Sequence, residues 1–513
     1  MTTASIDLGL LIAKIERLNG IGVALSQELD SERLLEVILL GAKELTDADG
    51  GSLYTRVGDE VRFQLVRNDT LGLALGGPGL QPPSLPPVKL SDGAHSVVAR
   101  AVVTGQTVTV ADAYALDGSN EGFDFSGTHA FDRRTGYRST SFLTVPLRNH
   151  EGLVIGALQL INARDREGRV EPFTEADQRL VESLASQAAT TLTRRELIDG
   201  MAALFDSFVE LIATAIDEKS PYTGGHCRRV PELTMALAEA AAKRGMMPFS
   251  DADRHELKVA AWLHDCGKIT TPEWVMDKAT KLHGLGDRIQ VVEERFARLA
   301  AEAEAACWRA VAAGAPRQQE EDRLAETCLD LADTLGFIRH CNLGSESMRP
   351  EDQERITALA HRGWLLPEEA RNLAIPMGTL LPEERQIING HMTATMRMLE
   401  KLPFPKHLRR VPEYAGGHHE RMDGKGYPRG LTREQMSVPA RIMGIADVFE
   451  ALTAGDRPYK KAMKLSQALA ILARMAETGH IDPDLHRVFI DERVWVGYAQ
   501  RFLQPDQLDL VLA

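Results

Sequence analysis

Residues 416–431 read GGHHERMDGKGYPRGL, and this stretch decides how the C-terminal half of the chain is built. Two adjacent imidazoles lead into a glycine-punctuated loop. Gly424 and Gly426 let backbone come close to whatever the histidines hold, and Pro428 stiffens the exit. A histidine pair alone decides little, because 15 His in 513 residues give roughly 0.4 adjacent pairs by chance. A His on an apolar helix face is usually a satisfied core group. The wider sequence shifts that balance. His226 lies in PYTGGHCRRV, and His264 and Asp265 lie in AAWLHDCGKITTP, at the end of an amphipathic helix stopped by Gly267. His391 lies in ERQIINGHMTATMRML beside Ile387, Ile388 and Thr395, and Asp447 lies in RIMGIADVFEALTAGDRPYKKAM beside Ile445, Ala446 and Phe449. An ionised Asp on such a face is costly unless it is paired or coordinates a metal. Several costly groups converging in one helical bundle point to a shared cation.

HDxGK, a lone His, HHExxDGxGYP, and an Asp with RPYK downstream together resemble the HD-GYP class of HD-domain phosphohydrolases, over roughly residues 205–282 and 381–490. The resemblance implies a two-metal centre in a helical bundle. Asp265 would bridge the ions; His226, His264 and Asp447 would hold one, and His391, His418 and His419 the other. Iron or manganese suits mixed imidazole and carboxylate ligation, with zinc, cobalt or nickel possible. Tyr222 stands where some members carry a Glu for a third ion, so two divalent ions are expected. Lys268, Arg457 and Lys460 match positions that contact substrate phosphates; as alternatives, Lys268 could cap its helix and Arg457 could pair with an acidic neighbour. Asp423, Glu420 and Tyr427 could orient the ligand histidines. The implied activity is hydrolysis of cyclic di-GMP to pGpG and, by further cleavage, GMP, with Asp265 and Lys268 as catalytic residues. Two ions about 3.5–4 Å apart lower the pKa of a shared water from 15.7 toward about 7 and offset charge on the phosphate oxygens. The alternatives are an inactive signalling module on the same fold, or a hydrolase of another cyclic nucleotide or dinucleotide, such as cyclic GMP-AMP.

Working outward, residues 20–195 read as one α/β (α+β) domain. A helix carrying Leu34, Leu35, Val37, Ile38, Leu39 and Ala42 precedes a strand-like GSLYTRV; GGPGLQPPSLPP at 76–87 is loop. STSFLTVPL and LVIGALQLIN flank Asn149–Gly152 as a hairpin. This domain resembles the GAF family through ELDSERLLEVILLGAKELTDADGGSLY, SFLTVPLRN and GALQLINARD. Asn162, Phe173 and Asp177 resemble the NKFDE pattern of cyclic-nucleotide-binding members, although the Lys is absent and Gln178 replaces the Glu. A cyclic nucleotide, another small ligand, or a purely dimerising role is open to it. Residues 175–220 form a long helical connector without Pro. Leu180, Leu184, Ala188 and Leu192, then Met201, Leu204, Phe208, Leu211 and Ala215, recur at coiled-coil spacing. That predicts a homodimer through this helix, the alternative being a helix packed on its own domain.

The expected architecture is therefore multidomain: a sensor domain, a helical connector, and an all-α HD bundle over 205–490. An Ala/Glu-rich helical insertion at 283–380 interrupts the bundle, with its own apolar stripe at Ile289, Val292, Phe296, Leu299, Ala303 and Ala306. His340 and Cys341 read as structural. The net charge of −14 argues against nucleic-acid polymers and anionic membranes as partners. Five cysteines without a CxxC spacing, no spanning segment and no signal peptide predict a soluble, cytoplasmic protein with reduced thiols.

Overall fold

The computed structural model describes residues 8–28, 30–91, 95–115, 122–220, 225–344, 347–455 and 462–511. Tyr222, Arg457 and Lys460 lie outside the described residues. The chain divides into two compact units, Met1–Ala203 and Leu204–Ala513. Among the described residues, no helix is long and apolar enough to cross a membrane. All five cysteines are free.

The N-terminal unit is a sheet flanked by helices. Its strands are β1 (Ala48–Val57), β2 (Glu60–Asn68), β3 (Leu73–Leu75), β4 (Val88–Lys89), β5 (Val108–Val110), β6 (Phe142–Arg148), β7 (Val154–Arg164) and β8 (Val170–Glu171). They pair antiparallel in the order β3-β2-β1-β7-β6-β5, with β4 beside β2 and β8 beside β7. Arg148 pairs with Val154 across the predicted hairpin. Two-residue alternation sorts the side chains by face. Leu143, Val145 and Leu147 meet α1 (Leu8–Gln27), α2 (Ser31–Thr46) and the start of α5 (Glu175–Lys219), whereas Phe142 joins a smaller core on the other side, with Val97 and Val110. That second face carries α3 (Val97–Thr104), and α4 (Ser126–Thr135) follows β5 in the chain. Asp30 starts α2 by accepting the N–H groups of Glu32 and Arg33.

Asn162 and Asp177 are used structurally here. Asn162 sits at φ 58°, in the left-handed region; its side-chain oxygen accepts the Thr140 and Ser141 N–H groups at 2.7 and 3.2 Å. Asp177 pairs at 3.1 Å with Lys14 of α1. The cation missing from the local pattern thus arrives from a different helix.

Helix α5 is continuous over Glu175–Lys219. Its first half departs from the expected seam: Leu180, Leu184 and Ala188 are buried in the core of the N-terminal unit, so they pack on their own sheet. Further along, Met201, Leu204, Phe208 and Leu211 are 70, 57, 54 and 60% exposed. Val209, Ala213 and Ile216 then enter the core of the second unit.

That second unit is helical throughout: α6 (His226–Lys243), α7 (Asp251–Leu263), α8 (Glu273–Met276), α9 (Ile289–Ala312), α10 (Arg317–Asn342), α11 (Pro350–His361), α12 (Pro367–Leu373), α13 (Pro382–Leu399), α14 (Val411–Ala415), α15 (Val438–Thr453), α16 (Leu465–Glu477), α17 (Pro483–Asp491) and α18 (Trp495–Phe502). One core unites α6, α7, α14, α15, α16 and α17. The inserted helices α9–α12 bury a separate core containing Val292, Phe296, Leu331, Ile338, Ile356 and Leu373. Two buried lysines fasten this block to the bundle. Lys278 binds both oxygens of Glu384, near the start of α13, and Asn372 of α12. Lys281 donates to the Leu373 and Ile375 carbonyls at 3.0 and 2.7 Å. Breaking such a buried ion pair leaves an uncompensated charge.

Gly267 does not stop α7, which ends at Leu263 and passes through His264 into a 3-10 turn over Cys266–Thr270. It permits close approach instead. A Cβ there would lie 2.0 Å from the His391 carbonyl oxygen and 2.5 Å from the Thr395 nitrogen, both backbone atoms of α13. Gly267→Ala is expected to cost about 1–3 kcal/mol, the usual penalty of overpacking, read as a lower urea midpoint at unchanged m-value.

Candidate metal centre

Four helices and one loop bring seven ionisable side chains together. His226 opens α6, His264 caps α7 with Asp265 following, His391 lies in α13, His418 and His419 follow α14, and Asp447 lies in α15. They form two groups sharing one residue: His226, His264, Asp265 and Asp447, and Asp265, His391, His418 and His419. The two oxygens of Asp265 face different groups. Oδ2 lies 3.2 Å from Nε2 of both His226 and His264. Oδ1 lies 3.3 Å from His391 Nε2 and 3.9 Å from His418 Nε2. Asp447 Oδ1 closes the first group, 3.4 Å from His226 Nε2, and its Oδ2 reaches His419 Nδ1 at 3.9 Å.

The imidazoles are oriented for ligation. Nδ1 of His264, His391 and His418 lies 2.8, 2.5 and 2.7 Å from the carbonyls of Ala261, Ile388 and Ala415. A carbonyl only accepts, so each Nδ1 carries a proton, and Nε2 is the atom that each ring presents as a ligand once neutral. Asp265 Oδ1, His391 Nε2 and His418 Nε2 are buried with no hydrogen-bond partner. Such orphans are expensive in a folded interior, and here they face one another. Metal–ligand bonds of 2.0–2.2 Å put neighbouring donors about 3–4 Å apart, which is the spacing seen. Both groups therefore fit a metal ion.

Electrostatics divides the set. Burial opposes charge on His226, but Glu450 and Asp265 outweigh it and raise its pKa to about 9. Asp265 and Asp447 likewise bring buried His264 to about 10. Burial instead dominates His418, well below its ordinary value, and His419, lowered to about 4. Despite burial, Lys268 beside it and the histidines hold Asp265 far below the usual carboxylate range. The Lys268 ammonium lies 2.5 Å from Asp265 Oδ2, so its charge serves the group and does not cap its helix.

Glu450 escaped the sequence reading. Its Oε2 meets His226 Nδ1 at 2.5 Å, and its Oε1 accepts from Arg229 at 2.7 Å. The available signal was its place one turn beyond Asp447 on α15, a second acidic residue on a largely apolar helix. Asp423 was expected beside a ligand histidine, but it pairs with Arg421 and accepts the Lys425 N–H, bracing the loop. Glu420 accepts the N–H groups of Arg429 and Leu431, and the Tyr427 ring stacks on His419 at 4.8 Å. Gly424 adopts φ 74°, and a Cβ on Gly426 would strike the Glu420 backbone, so both glycines serve the loop's own fold. A cavity of about 310 Å³ opens beside His418 and His419, lined also by Arg421, Lys425, Tyr427 and His480. A larger cleft of about 940 Å³ in the N-terminal unit is lined by Lys14, Lys43, Asp69 and Asp177. Within this lining Lys14 pairs with Asp177 and Lys43 with Asp69.

Comparison with known proteins agrees with this architecture. The GAF domain family matches residues 30–192, and two HD domain families match residues 223–337 and 340–485. Both HD segments contribute to the one bundle core, through Val230 and Leu257 on one side and Val411 and Ile442 on the other. The chain thus carries a GAF domain followed by HD-domain segments. A protein of Vibrio cholerae named 3'3'-cGAMP-specific phosphodiesterase 3 is 30% identical over 339 residues, 64% of this chain and 50% of that one. Another from that organism, 3'3'-cGAMP-specific phosphodiesterase 1, is 34% identical over 172 residues, 34% and 37% of the two chains. A cyclic di-GMP phosphodiesterase of Pseudomonas aeruginosa is 50% identical over 74 residues, 14% and 17% of the two. The chain spans half or less of the length of these relatives.

The raised values of His226 and His264 fix a pH dependence. A group whose pKa is higher folded than unfolded contributes stability that is full below about 6.5 and lost as pH rises through the folded value. Chelator-treated protein should therefore lose melting temperature between pH 6.5 and about 9–10, and less steeply as His264→Asn. Ligation needs neutral imidazole, so metal uptake at pH 7 should release about two protons and tighten as pH rises. Calorimetry in buffers of differing ionisation enthalpy measures this.

Proposed function

We propose that the C-terminal unit is a metal-dependent phosphodiesterase that opens a cyclic dinucleotide, under control of the GAF domain. The observation that carries this reading is Asp265, whose two carboxylate oxygens face separate groups of histidines. One carboxylate so shared suits a bridge between two divalent transition ions, iron or manganese first by ligand type, with zinc, cobalt or nickel possible. Such a pair supplies Lewis acidity, lowering the pKa of a water toward about 7 and offsetting phosphate charge.

The chain's own residues do the rest. His226, His264 and Asp447 hold one ion, and His391, His418 and His419 the other. Glu450 fixes the His226 ring. Lys268 provides a fixed positive charge that an anionic phosphate needs in an acidic chain, with Arg457 and Lys460 expected to add to it. Hydrolysis adds one water across a P–O3′ bond, leaving a 5′-phosphate on one nucleotide and a 3′-hydroxyl on the other. Cyclic di-GMP would give pGpG, and a second cleavage GMP. The substrate class is a cyclic dinucleotide. Cyclic di-GMP is the first reading, by resemblance of the HHExxDGxGYP signature, and 3′3′-cGAMP is the second, favoured by the names of the two relatives with the longest matches. The exposed face of Met201, Leu204, Phe208 and Leu211 on α5 suits a homodimer through the connector, because apolar rows at this spacing bury against a second helix.

Asp265→Ala should lose both ions and fall to background turnover while keeping its helical circular dichroism. Elemental analysis and product identification against cyclic di-GMP and 3′3′-cGAMP in competition measure this; retained turnover would defeat the bridging role. Leu204→Asp with Phe208→Asp should shift the full chain toward monomer in sedimentation velocity, and an unchanged mass would remove the connector from the dimer.

A further inference from the structure

The last turn of α5 touches both segments that carry the first group of ligands. Gly225 precedes α6 and has no side chain to cap it. Asp217, itself 8% exposed, takes that place from the neighbouring helix: its oxygens accept the Gly225 and Cys227 N–H groups at 3.1 and 3.3 Å. His226 lies between these two residues, and its orientation follows from where α6 begins. Two residues on, Lys219 spends its ammonium on three backbone carbonyls, those of Lys268, Ile269 and Thr271, at 3.3, 2.6 and 2.7 Å. These lie at and just past the end of the 3-10 turn that starts directly after Asp265, where carbonyls converge and attract a cation. Ser220 adds a hydrogen bond to Asp277 at 2.5 Å. Asp217 and Lys219, within the last turn of α5, thus hold the start of the segment bearing His226 and the end of the segment bearing Asp265 and Lys268.

We infer that Asp217 and Lys219 are positioning residues, which set His226 and Asp265 through their backbones and so let the connector helix govern the first ligand group. The inference rests on the metal-centre reading above. His391, His418 and His419 are carried by α13 and by the turn after α14, and Asp265 serves both groups, so the effect is unequal: the first group loses His226 as well as Asp265, the second Asp265 alone.

The test uses the full chain as Lys219→Met, Asp217→Asn and Lys219→Arg, with two readouts. In metal-free protein, amide hydrogen exchange over residues 225–228 and 266–271 should quicken about tenfold or more in the first two variants, because hydrogen bonds to charged groups are the stronger ones. In anaerobic cobalt(II) titrations followed by visible absorption, one equivalent should weaken on the order of 10–100-fold, as when an outer-shell partner is removed. The other equivalent, which shares only Asp265 with the first, should weaken several-fold less. Lys219→Arg should recover most of both effects. Exchange and both cobalt affinities equal to wild type would overturn the inference, as would equal loss from both equivalents. Should Lys219→Met fail to fold, the near-isosteric Asp217→Asn carries the same comparison. Wild-type protein that binds no cobalt while exchange responds as expected would reject the metal centre and leave the clamp standing.

Discussion

Seven imidazoles and carboxylates packed within a few ångströms, most of them buried, would ordinarily unfold a helical bundle. Each carboxylate loses its hydration and each unpaired ring nitrogen loses a partner. The rest of the C-terminal unit is arranged around this concentration of charge. Asp265 is the centre: it faces His226 and His264 with one oxygen and His391 and His418 with the other. The helices can meet there only because Gly267 lets the turn after Asp265 press directly on α13. The rings are held by the cheapest available partners, the carbonyls three residues behind them. That leaves the outer nitrogens pointing inward.

The same constraint explains the second layer. The His226 ring, at the start of its helix, is oriented by Glu450, a residue on another helix. Arg229 in turn neutralises Glu450. The loop after His419 is held by Glu420 and by the Arg421–Asp423 pair, which keeps Tyr427 over the His419 ring. The inserted helices are tied to α13 through Lys278, Glu384 and Asn372. A block with its own core therefore ends on the helix that carries His391.

The two halves of α5 serve different masters. Its first turns are core for the sheet, its last turns are core for the bundle, and between them an apolar row is left exposed. The polar contacts of Asp217 and Lys219 lie at the end nearest the ligand residues.

Motif chemistry is local, and the sequence alone determined what is local: helical or extended character, the loop at 76–87, the hairpin about Asn149–Gly152, and the identity of the seven clustered residues. Even there a periodic stripe did not say what covers it, and Leu180, Leu184 and Ala188 turned out to face their own sheet. Tertiary structure alone decided how Asp265 divides its oxygens, why Gly267 is glycine, and who answers Asp177 and His226. Those partners stand 163 and 224 positions away along the chain. Spacing in sequence carries information about neighbours on one helix or strand, whereas a contact between elements depends on how their faces pack.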